Sequence, residues 1–138
     1  MASFADFQSA IFKALSGEPT VTAIVSTRIF DDVPHEAEPI ATSFPRISIG
    51  DQSASWIGTD DSDIAEIEFT LHAWSRMPGR KECLDMIFAM VKALHKRTHL
   101  VANGVIVLLH YAGHETAKEA DGETYHGQVR FTGLLQFS

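Results

Sequence analysis

The chain has 138 residues and a mass of 15.2 kDa, the size of one domain. Its 45% apolar and 21% charged side chains exclude a disordered segment, and no apolar run approaches the roughly 18 residues of a membrane span. A formal charge of −7, from 11 basic and 18 acidic residues, excludes nucleic-acid binding by the surface as a whole. The opening MASFADFQSA lacks the basic and continuous apolar regions of a secretory signal. The single cysteine, Cys83, has no partner for an internal disulfide, which fits a reducing compartment.

Taken in chain order, Phe4, Phe7, Ile11 and Leu15 recur at helical spacing behind the capping residue Ser3, and Gly17 and Pro19 end that helix. A short second helical turn follows, capped by Thr20, with Val21, Ile24 and Val25 on one side. Ile29-Phe30 reads as a brief strand, and the proline-bearing stretch from Asp31 to Phe44 as irregular. Arg46–Ile49 alternates as a strand. So does Ile64–Trp74, with Ile67, Phe69, Leu71 and Ala73 on one face and Glu66, Glu68, Thr70 and His72 on the other. A period of two with one polar face predicts an antiparallel sheet covered on one side. Between these strands, Gln52–Ser62 reads as a long hairpin loop carrying Trp56 and Ile57.

Met77-Pro78-Gly79 turns the chain into its longest helix, with an expected apolar stripe of Leu84, Ile87, Phe88, Val91 and Leu94. Arg80, Lys81, Lys92 and Lys96 fall off that stripe. Val105–Leu109 reads as a buried strand from its β-branched content, and Asp121-Gly122 as a hairpin turn. The last strand alternates Val129, Phe131, Gly133, Leu135 and Phe137 inward with Gln128, Arg130, Thr132 and Gln136 outward. The expected fold is one α+β domain over residues 1–138: a mostly antiparallel sheet with two main helices on one face.

Few residues have the spacing that chemistry needs. His95 and His99 are four apart near the end of the long helix, but Lys96 and Arg97 between them oppose a cation. Basic groups there complement the C-terminal end of the helix dipole. His110 and His114 straddle an expected strand end, where a four-residue spacing has no fixed geometry. Asp60, Asp61 and Asp63 cluster in a loop without the register of a calcium loop. Cys83 opens the long helix near Arg80 and Lys81, but no C-x-x-C accompanies it and it reads as core. Phosphate-binding loops, dinucleotide fingerprints and nucleophile elbows are absent from the sequence. No catalytic, metal-binding or cofactor-binding residue is assigned.

Two features remain. Trp56-Ile57 in a polar loop, and Trp74 on the polar face of its strand, fall outside the core and mark contact surfaces. The charge also divides along the chain: residues 1–75 carry −9, residues 76–99 carry +4 and residues 100–138 carry −2. Such a division suits head-to-tail contact between copies.

The order of short motifs resembles a known family. Arg28-Ile29-Phe30-Asp31 precedes Phe44-Pro45-Arg46-Ile47-Ser48-Ile49-Gly50. Leu71-His72-Ala73-Trp74-Ser75-Arg76 and Gly79-Arg80-Lys81-Glu82 follow. Asp121-Gly122-Glu123-Thr124-Tyr125-His126-Gly127 then leads into the final strand. This order is similar to that of the tail completion proteins of long-tailed phages, which include tail terminators and tail-to-head joining proteins, and of their counterparts in gene transfer agents. The resemblance implies a structural virion protein, not an enzyme, that forms a homo-hexameric ring. It implies that the ring caps the tail tube protein, meets a head-side connector or stopper protein, and lets DNA pass without sequence-specific binding. It also places the protein at the head–tail junction of the virion, after assembly in the host cytoplasm. No catalytic residue or cofactor comes with the family.

On that reading Trp56, Ile57, Trp74, Arg76 and Arg80 are expected at subunit or tube interfaces, and Asp60, Asp61, Asp63, Glu66 and Glu68 at the channel or its mouth. The alternatives are a soluble α+β binding module and a small metal-dependent hydrolase using His95, His99 and the loop aspartates.

Overall fold

The computed structural model describes residues 3–31, 44–100 and 106–136. Helix α1 spans Phe4–Ser16. The Ser3 hydroxyl accepts a hydrogen bond from the Asp6 amide at 3.1 Å, and the Asp6 carboxylate accepts one from the Ser3 amide at 2.9 Å. This reciprocal cap satisfies two donors that a helix start leaves open. Phe7, Ala10, Ile11 and Leu15 are buried, whereas Phe4, expected on the apolar stripe, is exposed.

Helix α2 spans Pro19–Val25. Its cap is Glu18 rather than the expected Thr20, because Pro19, which has no amide hydrogen to lose, takes the first helical position. Strand β1 is Ile29–Phe30. Most of the stretch expected to be irregular after it lies outside the described residues.

Strands β2 (Arg46–Trp56) and β3 (Ile64–Ser75) form a long antiparallel hairpin. The expected loop at Gln52–Ser62 is corrected to a shorter tip, since Gln52 to Trp56 pair with Phe69 to Ala65. The sequence hides this because every residue of β2 from Asp51 to Trp56 is exposed, so no hydrophobic period develops there.

Helix α3 runs Lys81–Leu94 and buries Cys83, Met86, Ile87, Ala89, Met90, Ala93 and Leu94. The expected stripe is thus wrong at Leu84 and Phe88, which are exposed, while Ile87 and Leu94 are placed correctly. Close approach to the sheet selects small and flexible side chains for the buried face. A Cβ on Gly127 of the sheet would stand 2.7 Å from Ile87 Cδ1 and 2.9 Å from Cys83 Sγ.

Strand β4 is Thr98–Leu100, β5 is Ile106–Lys118 and β6 is Tyr125–Gln136. Of the segment expected as a buried strand, Val105 lies outside the described residues and the rest opens β5, where Leu108 is exposed while Leu109 is buried. The Asp121-Gly122 turn joins β5 to β6 as expected. Asp121 accepts the amides of Glu123 and Thr124, both at 2.8 Å, and Gly122 adopts φ +70°.

The sheet order is β1-β2-β3-β6-β5-β4, antiparallel except for the parallel β1–β2 pair. Helices cover one face. Phe7 of α1 meets Phe69 edge-on at 5.6 Å, Phe69 stacks on Phe131 at 5.5 Å, and Cys83 of α3 lies against Ala73. Ile67, Phe69, Leu71 and Ala73 all enter this core, and Glu66 and Glu68 lie exposed on the opposite face. The α+β class with helices on one face is as expected, with α2 as a third, short helix.

Candidate functional site

The β2–β3 tip has a defined shape. Ile57 donates its amide to the Ile64 carbonyl at 2.8 Å, and Thr59 and Ser62 bridge within the turn. A Cβ at Gly58 would collide with the Ser62 carbonyl and stand 2.9 Å from the Ile64 nitrogen, so only glycine fits there. The Trp56 indole donates to the Asp63 carboxylate at 3.1 Å. Trp56 is 58% exposed and Ile57 49% exposed, with Asp60 and Asp61 exposed beside them. The tip is therefore an apolar pair on an acidic, internally bonded turn.

The five candidate acids separate into two groups. Asp60, Asp61 and Asp63 belong to the tip. Glu66 and Glu68 stand on the uncovered face of β3, opposite Ser55 and Ser53 of β2. Trp56 pairs with Ala65, which points to the helix side, so Trp56 and Glu66 project from opposite faces. On the uncovered face a groove of about 360 Å³ is lined by Asp51, Glu68, Thr70, Arg130 and Thr132, among others. It lies where register shifts interrupt β2 between Ile49 and Gln52 and β5 between Tyr111 and Gly113. Arg130 pairs with Glu115 at 3.1 Å on this face.

Trp74, Arg76 and Arg80 lie at the other end of the sheet. Trp74 is nine residues along β3 from Ala65, about 30 Å at strand rise. The five candidate interface residues are thus not one patch. Trp74 is half-buried, donates to the Ser48 hydroxyl at 2.9 Å and stacks on His126 with centroids 3.8 Å apart. His126 in turn contacts His72 Nδ1 through its Nε2 at 2.7 Å and Glu119 through its Nδ1 at 2.9 Å. Burial, then the neighbouring His126, lowers the His72 pKa, against an opposing pull from Asp51.

Arg76 donates to the Thr124 hydroxyl at 3.1 Å and pairs with Asp121 at 3.7 Å and Glu123 at 3.9 Å. It thereby ties the end of β3 to the β5–β6 turn. Hydrogen bonds from the Thr124 hydroxyl and amide and the Glu123 amide hold the Asp121 carboxyl at about 2. The guanidinium groups of Arg46 and Arg76 lie over the Phe44 ring at 4.4 and 4.6 Å. Burial and then Arg76 lower the Arg46 pKa. Arg80 is exposed, 5.6 Å from the centroid of Tyr125.

Besides the His72–His126 pair, His95 and His110 approach edge-on, with ring centroids 6.1 Å apart. His95 ends α3 in an extended conformation and accepts the Tyr111 amide at 2.9 Å, and His99 is in β4. They share no helix face, because the helix stops before either. His110 and His114 sit within β5, on either side of its bulge. Among the described residues, no three His, Cys, Asp or Glu side chains come together as a cation site. Cys83 is buried in the core, and burial foremost, then Glu82, pushes its thiol up to about 11.

The outer face of α3 is the surface that sequence periodicity missed. Phe88 is 73% exposed and Leu84 41%, with Lys81, Asp85 and Lys92 along the same stripe.

The family model described as "Tail completion protein gp17" matches residues 9–136. Among solved structures, a chain of the "Virion of native gene transfer agent (GTA) particle" superposes with a TM-score of 0.85 at 16% identity. That match covers 98% of this chain and 100% of the other. The "Structure of bacteriophage SPP1 gp17 protein" superposes with a TM-score of 0.57 at 18% identity, covering 99% of this chain and 93% of the other. Both are likenesses of fold. No curated protein sequence matches.

Proposed function

The chain belongs to the tail completion protein gp17 family and is a structural tail protein, and from that premise we propose that its copies close into a hexameric ring at the head-proximal end of a virion tail tube. The ring ends growth of the tube, offers its other side to a head-side connector or stopper protein, and forms a section of the DNA conduit. The family match across nearly the whole chain carries this reading. Separate exposed apolar surfaces on one small domain, among them the Trp56–Ile57 tip and the outer face of α3, support it. Different surfaces on one subunit are what a heterologous contact needs, and such contacts generate rings when the rotation closes.

The uncovered sheet face is placed toward the channel. Glu66 and Glu68, with Asp51 nearby, would give a wall that repels phosphates, so DNA slides without adhering. Trp74 and Arg76 shape the opposite end of the sheet, and Arg80 is exposed there for contact with a neighbour or the tube.

Depleting the protein in a particle-producing cell tests the role. The reading expects over-long or unattached tails beside DNA-filled heads. Particles with tails of normal length, joined to heads, would contradict it.

A further inference from the structure

Resting on the ring reading, we propose that the outer face of α3 is the seat for the acidic Trp56–Ile57 tip of a second copy of this chain. Phe88 is the most exposed large apolar side chain among the described residues, at 73%, and Leu84 lies one turn before it. Neither contributes to the core, because α3 already buries its opposite side through Cys83, Met86, Ile87, Met90 and Leu94. The stripe from Lys81 to Lys92 is about 16 Å long at helical rise, room for an indole and a branched aliphatic side chain.

Charge selects the occupant. The tip carries Asp60, Asp61 and Asp63 and no basic residue. On the helix, Lys81 is held by Asp85 at 2.7 Å, whereas Lys92 has no ion pair among the described residues. Tip against tip would crowd six carboxylates, and helix against helix would bring no acidic tip to Lys92. Tip against helix pairs opposite charges around two apolar groups. The tip is also fixed before contact by the Trp56–Asp63 bond and the Ile57–Ile64 backbone bond, so little ordering entropy is lost on docking. The contact joins different surfaces of the two copies, the type that closes into a ring.

Cysteine pairs introduced into the full chain test it under mild oxidation. I57C and F88C copies should cross-link when mixed and not when either is alone; native Cys83 is buried in both. In parallel, F88A should weaken association at least about tenfold with an unchanged Tm, as expected for a contact anchor that the protomer leaves exposed. K92E should weaken association as well, and D61K should restore part of it. F88C–F88C bonds would overturn the proposal by making the contact isologous. Oligomers that form fully without any 57–88 bond would overturn the contact and leave the ring reading intact. A chain that stays monomeric alone and on tail tubes would overturn both.

Discussion

The indole ring of Trp74 lies flat on the imidazole of His126, with centroids 3.8 Å apart and planes 5° from parallel. The pair closes a chain of contacts running from Glu119 through His126 to His72. Two imidazoles bonded to each other share one proton comfortably and two badly.

The protein therefore loses stability in mild acid. Burial first, then His126, sets the folded-state pKa of His72 below the ordinary 6.5. As pH falls past 6.5, the unfolded chain takes up the proton before the folded one does. The contribution is thus complete above 6.5 and lost on the way down to the folded pKa. Denaturation midpoints should hold steady above neutrality and decline below it, and His72→Gln should flatten that decline. An unchanged decline in the variant would contradict this account of the cluster.

Gly127→Ala tests how tightly α3 sits on the sheet. The added methyl would meet Ile87 Cδ1 at 2.7 Å and Cys83 Sγ at 2.9 Å. Overpacking of this kind costs about 1–3 kcal/mol, read as a lower Tm. Ile87→Val in the same chain should recover part of the loss. A Gly127→Ala protein with the parent Tm would mean the helix has slack.

Cys83 should be inert in the folded protein. Its thiol is buried and pushed up to about 11, so thiolate is scarce near neutrality. A maleimide should label it only when denaturant is added. Labelling of the native protein at the rate of a free thiol would place Cys83 outside the core.

Charge reversal on the uncovered sheet face tests the conduit. Glu66 and Glu68 are exposed, so E66K/E68K should fold and assemble normally. A channel wall turned basic should then hold DNA, and the retention should weaken as salt rises. Unaltered DNA passage through assembled E66K/E68K particles would remove these residues from the channel.

The legible parts of the fold are those with one dry and one wet face. Strand β3 announced itself because Ile67, Phe69, Leu71 and Ala73 alternate with charged or polar neighbours. Ser3 marked the start of α1, and the structure adds Asp6 as its reciprocal partner. Helix α3 was harder, since Leu84 and Phe88 are as apolar as Ile87, and apolarity alone does not say which face meets the sheet. The deciding constraint, Gly127, is 40 residues away in the chain. The extension of β2 was hidden for the opposite reason: Gln52, Ser53, Ala54 and Ser55 are exposed on both sides. Trp56 and Ile57 stood out as apolar residues in a polar stretch, and the tip indeed leaves them exposed. Trp74 stood out equally, but half of it is covered by a partner ring on β6 that only the strand pairing reveals.

Electron cryomicroscopy of tail tubes assembled with this protein should show one ring of six copies, confined to the head-proximal end of each tube. Copies distributed along the tube, a different copy number at its end, or no density there would contradict it.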